Sequence, residues 1–600
     1  MGQFNYYYAK FYESDLEAIA MDFMADQKMG YEYQSGSELH RAPEDVVLEN
    51  DLKGYLRSRY KDLSANELES IVRKVKSSGN TLYETNREFL SILSDGFIQR
   101  RDDPSKKDLY IQLINFEQPE ANIFRVVNQL EVKQYQRRIP DAVAFINGLP
   151  VVVFEFKNPV NDGADTHEAY KQVTVRYRRD IPKLLGYNVF TVLSDGVNSK
   201  YGSVFAPYKF FNTWRQVEAG DPEVEGVDAF YALLEGLMRK DRLVALIKNF
   251  VFFPDALKQD DETKIIARPP QFFAATKLIE NIKAHMKPAG DGKGGTYFGT
   301  TGCGKSYTML FLTRMLMKDP ALSSPTILLI TDRTDLDDQL SAQFLGAKNF
   351  IGDDEVVQIA TRDELRERLA DRKSGGVYLT TIQKFTEAAS LLTDRANVIC
   401  ISDEAHRSQA NISDEGKTVV TDEGVYKKFG FAKYLRDSLP NATYVGFTGT
   451  PVDDTINVFG EVVDAYTMVE SVADGFTVNL VYEGRAAYVN LDQGKVKEIE
   501  DYYARCEQEG ANTHQIEESK KATTHLEVIL GDEDRLAAVA RDFVAHYEKR
   551  IEESATVNGK AMFVCSNRFI AFDLYKAIEK LRPDTDPFSF LPSHKCAVTI

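Results

Sequence analysis

The stretch "PDAVAFINGLPVVVFEFKNP", residues 140–159, decides how the N-terminal part of this chain folds. Residues 142–146 and 151–156 are apolar runs of strand length, and Asn147-Gly148 between them is the sequence of a tight hairpin turn. Two charges interrupt the second run. Glu155 and Lys157 stand two apart, so both point to one face of the strand. Charging an apolar strand is costly unless partners compensate the charges. Asp141, just ahead of the first strand, is one such partner, and the spacing imposes a geometric condition on it. In a regular hairpin a two-residue turn at 147–148 pairs Asp141 with Phe154 and leaves Glu155 on the opposite face. Asp141 and Glu155 meet only through a three-residue loop or a bulge. One of the two is expected.

Pro140-Asp141 followed by Glu155-Phe156-Lys157 fits the PD-x(n)-E-x-K pattern of metal-dependent nucleases. Asp141 and Glu155 would share Mg2+, which polarises a scissile phosphate, while Lys157 would steady the developing charge or position a water. The solvated face of an edge strand would produce the same letters. Context has to separate the two readings.

The chain has 600 residues, too many for one core, with 43% hydrophobic and 27% charged residues, an ordinary globular composition. No run of eighteen apolar residues or secretory leader pattern occurs, so a protein without membrane spans, in the cytoplasm, is expected. Five scattered cysteines without a CxxC pair argue against a zinc or disulfide framework. The net charge of −18 argues against binding nucleic acid through bulk charge. Local basic runs remain, "RSRYK" at 57–61 and "RYRRDIPK" at 176–183, and solvated surface explains either equally well.

From residue 296 onward short apolar strands alternate with helical stretches, the pattern of a doubly wound parallel sheet. "GTTGCGKS", 299–306, fits G-x-x-x-x-G-K-[ST] after a short strand and before an apolar helix. Gly299, Thr300, Thr301, Gly302, Cys303 and Gly304 would wrap phosphates with backbone N–H groups, Lys305 would reach the β- and γ-phosphates, and Ser306 would hold Mg2+. "NVICISDEAHRSQ", 397–409, places Asp403 and Glu404 past the C-terminal end of another strand. There Asp403 can hold the Mg2+ of ATP and Glu404 can activate the attacking water.

Together these motifs resemble the superfamily 2 helicases and translocases. The resemblance implies that Gln271, in "ARPPQFFAA", reads adenine. It implies that "TDRTDLDDQL" (331–340) and "TTIQKF" (380–385) grip a nucleic-acid backbone and that "GFTGTP" (446–451) couples hydrolysis to movement. "KAMFVCSNRFIA" (560–571) resembles the opening strand of a second motor domain, whose ATP-closing arginine motif is absent. The chain stops on "SHKCAVTI", which reads as an incoming strand, so a C-terminally shortened chain is expected, with its ATP turnover left open.

A nuclease motif ahead of such a motor, with "NGLPVVVFEFKNP", "DEAHRSQ", "GFTGTPV" and "YEGR", resembles the R (restriction) subunit of type I restriction–modification enzymes over essentially the whole chain. That resemblance implies an ATP-driven translocase of double-stranded DNA fused to a Mg2+-dependent endonuclease. Methylation and sequence recognition would belong to separate methyltransferase and specificity subunits. It also implies a Gln-x-x-x-Tyr pair on the helix after the lysine strand. Here Gln172 and Tyr177 are five apart, about 500° of α-helix rather than about 400°. One is displaced or the helix bulges; Gln172 is kept as the catalytic candidate. An N-terminal glutamate should also face the site, with Glu17 favoured over Glu13. The expected architecture is α/β: a restriction-endonuclease-like core at 1–260, a first RecA-like domain at 261–465, and an incomplete second one at 466–600. The rival readings are a repair helicase–nuclease that trims DNA ends and a motor whose N-terminal domain only binds DNA. Type III restriction subunits, which place the nuclease after the motor, fit less well.

Overall fold

The computed structural model describes residues 13–582 apart from 78, 158–164, 256–261, 333, 371, 386–390, 407–416, 422–423, 429–430, 451–452, 485–529 and 554–560. The chain forms two compact units, residues 1–479 and 480–600.

The first unit holds two large sheets. The N-terminal sheet runs in chain order: β1 (Glu32–Ser35), β2 (Phe124–Asn128), β3 (Ala142–Ile146), β4 (Leu149–Phe156), β5 (Phe190–Ser194) and β6 (Ser199–Gly202). β3 and β4 are the hairpin of the quoted stretch, and every residue in both is buried. Burial on both faces explains their apolar composition, which Glu155 alone interrupts. The turn is buried too. Asn147 and Gly148 have φ of 50° and 79°, the left-handed values a two-residue hairpin turn needs. The Asn147 carboxamide accepts from Ile123 N and donates to Leu113 O, both at 2.8 Å, so it ties neighbouring segments together from within.

Helices cover this sheet. α1 (Glu13–Ala25) lies against β2, and α2 (Leu82–Asp95) opens on a capping box in which Thr81 and Glu84 satisfy each other's backbone N–H groups. α3 (Thr166–Lys171) continues directly into a π-helix, Gln172–Tyr177. α4 (Val227–Met238) and α5 (Lys240–Asn249) close the N-terminal half.

The second sheet is all parallel: β7 (Lys293–Gly299), β8 (Thr326–Thr331), β9 (Val356–Gln358), β10 (Val377–Thr381), β11 (Val398–Ser402), β12 (Thr443–Thr448) and β13 (Val462–Tyr466), in spatial order β9-β10-β8-β11-β12-β7-β13. This is the doubly wound sheet the alternating pattern predicts. α6 (Pro269–His285) and α7 (Lys305–Lys318) pack beside β7, and the short helix α8 (Lys348–Ile351) meets α7. The core is continuous between the two halves: Trp214, the chain's one tryptophan, is fully buried against Phe272 and Phe273 of α6.

In the second unit, α9 (Glu533–Glu552) and α10 (Arg568–Leu581) pack through Leu536, Ala540, Ile570 and Leu574. The strand expected around 561–565 is not formed; those residues have no regular secondary structure, and Met562 and Val564 are exposed. A strand needs a hydrogen-bonding neighbour, and none occurs among the described residues of this unit. Most of the expected second RecA-like domain lies outside the described residues.

Candidate active sites

The β3–β4 hairpin meets the condition set by its sequence. Ile146 faces Leu149 and Phe145 faces Pro150, but Ala144 faces Val152, so Val151 is an extra residue and the ladder bulges there. Pro150, which has no N–H to give to the ladder, sits at the irregularity. Beyond it Ala142 faces Phe154, and continuing that register sets Asp141 opposite Glu155 on one face. Asp141 Oδ2 accepts from Phe156 N at 2.6 Å, and its own carbonyl accepts from Gln129 N.

Lys157 answers the two carboxylates. Its Nζ lies 2.8 Å from Glu155 Oε1, 2.6 Å from Phe156 O and 3.5 Å from Glu13 Oε1. Three carboxylates therefore face one ammonium. Burial, and then the charge of Glu155, pushes the Asp141 carboxyl up to about 8. Burial also raises Glu155, against the pull of Lys157. Burial works against the charge on Lys157, yet the carboxylates, Glu155 first, hold its pKa above the usual lysine value. The buried pair thus carries more negative potential than the lysine neutralises, and a divalent cation fits that donor set. Among the described residues no cluster of three or more His, Cys, Asp or Glu is placed to hold a metal, so the protein's contribution would be these two carboxylates.

Tyr177 completes the cluster. Its hydroxyl donates to Glu155 Oε2 at 2.7 Å, and Gln172 Nε2 reaches that hydroxyl at 3.5 Å. The five-residue spacing is absorbed by the π-helix, whose i→i+5 hydrogen bonding brings residues five apart to about one turn. Of the N-terminal glutamates, the favoured one is corrected. Glu13 touches Lys157, whereas Glu17 is buried and accepts from the side chains of Asn128 and Gln129. Those two amides come from β2 and its exit, more than a hundred residues away, and nothing in the N-terminal helix signals them.

The phosphate loop lies between β7 and α7. Gly304 has φ of 90°, and a Cβ there would sit 2.6 Å from Arg268 Nη2 and Gln271 Nε2, so only glycine lets the loop pass. Gln271 is nearly fully buried; its Oε1 accepts from Arg268 N at 3.0 Å and its Nε2 donates to Gly304 O at 3.3 Å. It braces the loop as well as its own helix. Cys303 is buried and Thr300 N donates to Tyr466 O, while Thr301 and Gly302 form the exposed tip. Lys305 Nζ donates to Gly299 O at 3.1 Å and lies 3.8 Å from Glu404 Oε1; Ser306 follows it in the first turn of α7.

Asp403 and Glu404 stand just past β11, as their strand-end position implied. Glu404 is held at φ of 46°, a strained value for a non-glycine residue, with its N–H donating to Asp403 Oδ1. β12 lies between β11 and β7 and touches both motifs. Thr448 Oγ1 is 2.8 Å from His406 Nδ1, and a Cβ on Gly449 would lie 3.6 Å from Lys305 Nζ. The segments at 331–340 and 380–385 are joined by Gln383 Nε2 donating to Asp332 O at 2.6 Å. Residues 407–416 after the DEAH box and Pro451 lie outside the described residues.

The basic run at 176–183 is compensated from within the fold. Arg138 and Arg179 both pair with the buried Asp180, Arg178 pairs with Glu262, and Arg176 with Glu168. In the run at 57–61, Arg59 donates to Gln112.

One chain therefore holds a buried carboxylate–lysine cluster on one sheet and, on a second, a G-x-x-x-x-G-K-S loop whose lysine lies beside Glu404. Residues 10–210 match the family described as type I restriction enzyme R protein N terminus, and residues 270–515 match SWI2/SNF2 ATPase. The chain joins a domain of the first family to a domain of the second. It is 35% identical over 597 residues to the type I restriction enzyme HindI endonuclease subunit of Haemophilus influenzae, covering 95% of this chain and 54% of that protein. It is 32% identical over 597 residues to the putative type I restriction enzyme MjaIXP endonuclease subunit of Methanocaldococcus jannaschii, covering 92% and 53%. The chain thus spans about half the length of these curated relatives. Among solved structures, the Type ISP restriction-modification enzyme LlaBIII bound to DNA matches 35% of this chain and 16% of its own at 16% identity and a TM-score of 0.24, a likeness too faint to bear on function. Among the described residues no helix is long and apolar enough to cross a membrane.

Proposed function

We propose that this chain is the motor and nuclease part of a type I restriction enzyme. It uses ATP to translocate double-stranded DNA and Mg2+ to cut both strands away from the recognition site, in the cytoplasm, with methyltransferase and specificity subunits as partners. The names of its relatives and the two matched families support the class. The observation that carries the nuclease half is the bulge at Val151, which turns an apolar hairpin into a two-carboxylate site.

In this reading Asp141 and Glu155 hold Mg2+, which when bound supplies Lewis acidity to the scissile phosphodiester. Lys157 offers its ammonium to charge developing on the phosphate or orients the attacking water. Tyr177 fixes the rotamer of Glu155, and Gln172 borders the site beside it. In the motor, the loop from Gly299 to Gly304 wraps the phosphates, Lys305 pairs with the β- and γ-phosphates, and Gln271 senses the adenine. Ser306 and Asp403 would hold the Mg2+ of ATP, and Glu404 draws the proton from the attacking water. The division of labour is residues 1–260 for cutting, 261–465 for the first motor domain and 466–600 for the second.

The test uses the full-length protein with its partner subunits, ATP, Mg2+ and an unmethylated circular plasmid. Lys305→Ala should abolish both ATP hydrolysis and cutting. Cutting that persists in Lys305→Ala would reject the ATP-driven reading, and an intact circle beside a degraded linear substrate would favour an end-trimming enzyme.

A further inference from the structure

Arg314 lies about two and a half turns along α7, the helix that begins with Lys305 and Ser306, and its side chain is only 1% exposed. Every arm of its guanidinium is used. Nη2 donates to Asp95 Oδ1 at 2.9 Å, Nη1 to Phe350 O at 2.5 Å, and Nε and Nη2 to Lys248 O at 3.3 and 3.1 Å. The two carbonyls belong to the last turns of α5 and α8, where helices leave acceptors without an intrahelical partner. Lys318, the last residue of α7, adds a second cation 3.1 Å from Asp95 Oδ1.

Asp95 is the odd member. It is the last residue of α2, where the helix dipole already presents negative charge, so a carboxylate there is unfavourable for its own helix. Among the described residues both of its ion pairs come from α7, through Arg314 and Lys318. At the other end α2 is rooted in the nuclease core: Asn86 Nδ2 donates to the carbonyls of Leu185, Gly186 and Asn188, between 2.8 and 3.0 Å, just ahead of β5. β5 in turn pairs with β4, Glu155 opposite Leu193. Arg314 stands about 14 Å along α7 from Lys305 at the α-helical rise. The helix is a rigid element over that length.

We propose that Asp95 is a positioning residue for the nucleotide site, through which the nuclease domain both sets and senses the placement of Lys305 and Ser306. The inference rests on the ATP-binding reading above. Without the Asp95 carboxylate, Arg314 is a buried cation held only by carbonyls, and α7 must shift to carry it toward water. Coupling of this kind is reciprocal: if Asp95 tunes nucleotide affinity, nucleotide must tune the stability of α2.

The experiment measures binding of a fluorescent ADP with Mg2+ to this chain, and hydrogen exchange of residues 82–95 with and without ADP. Asp95→Asn should weaken ADP binding about tenfold, with Asp95→Glu restoring it to within about threefold of wild type. ADP should slow exchange across 82–95 in wild type and leave it unchanged in Asp95→Asn. Wild-type affinity in Asp95→Asn, or exchange at 82–95 indifferent to ADP in the wild-type chain, overturns the proposal. If Asp95→Asn does not fold, Lys318→Ala, a partly exposed position, carries the same test: weaker ADP binding and muted protection support the proposal, unchanged values reject it. Lys305→Ala separates the two levels, because loss of ADP there with none in Asp95→Asn rejects only the coupling. Wild-type ADP binding in Lys305→Ala rejects the nucleotide reading itself.

Discussion

Tyr177 donates its hydroxyl hydrogen to Glu155 Oε2 at 2.7 Å from the last position of a six-residue π-helix. Glu155 thereby has both oxygens occupied, one by the tyrosine and one by Lys157. A carboxylate gripped from two sides keeps one rotamer, which a shared metal site requires. Tyr177→Phe removes only the hydroxyl from a buried ring. Plasmid cutting should fall about tenfold, the size of one lost hydrogen bond to a charged group, while ATP hydrolysis stays at the wild-type rate. Equal losses of both would place Tyr177 in the fold and not in the site.

The π-helix is one residue longer than an α-helix needs to be to put Gln172 and Tyr177 on one face. Val175, 57% exposed, is the dispensable position. Deleting it should convert the segment to α-helix, keep the two side chains together and leave cutting within about threefold of wild type. Complete loss of cutting by a folded deletion variant would show that the bulge does more than align the pair.

Thr448 links β12 to the DEAH box through His406, next to Gly449, where a Cβ would lie 3.6 Å from Lys305 Nζ. Thr448→Val keeps the shape and removes the hydroxyl. ATP hydrolysis should persist near the wild-type rate, while DNA translocation per ATP, followed by triplex displacement, should drop several-fold. Proportional loss of both would reject a coupling role.

Asp180 tests whether the basic run at 176–183 is structural. The Arg179 side chain, aided by Arg138, holds its carboxyl down to about 2. A carboxyl lowered in the folded state contributes stability above its unfolded pKa of about 3.9 and loses it as pH falls through the folded value. Asp180→Asn should therefore melt below wild type at pH 7, and the gap should close between about pH 4 and pH 2. Arg179→Ala should leave the salt dependence of DNA binding unchanged; a slope smaller by about one would make Arg179 a phosphate contact instead.

Much of the site was legible because its residues are close in sequence. Asp141, Glu155 and Lys157 sit on one hairpin, and side-chain alternation required a three-residue loop or a bulge if Asp141 and Glu155 were to meet; Val151 supplies the bulge. The five-residue Gln172–Tyr177 spacing, against the four of the resembled family, left a displaced residue or a helix bulge, and the π-helix is the bulge. The phosphate loop and DEAH box are local motifs, and the parallel sheet followed from the alternation of short apolar strands with helical stretches. Long-range partners were not legible. Glu17 and Glu13 are one turn apart on α1, and only Asn128, Gln129 and Lys157, brought in from other strands, decide which glutamate does what. The Asp95–Arg314 pair spans 219 residues, and neither residue stands in a recognisable motif. The segment at 561–565 carries strand propensity, but among the described residues no strand pairs with it.

The most direct measurement is cutting of an unmethylated circular plasmid by Lys157→Ala, in the full-length protein with its partner subunits, ATP and Mg2+, at matched ATP turnover. Lys157 faces the carboxylates at a partly open position, so its removal should spare the fold and the motor. The account predicts ATP hydrolysis at the wild-type rate with cutting reduced at least about a hundredfold, the scale of a lost electrostatic group at a reacting phosphate. A Lys157→Ala protein that cuts as well as wild type would contradict it, and would make Asp141, Glu155 and Lys157 a buried charge cluster with no part in the chemistry.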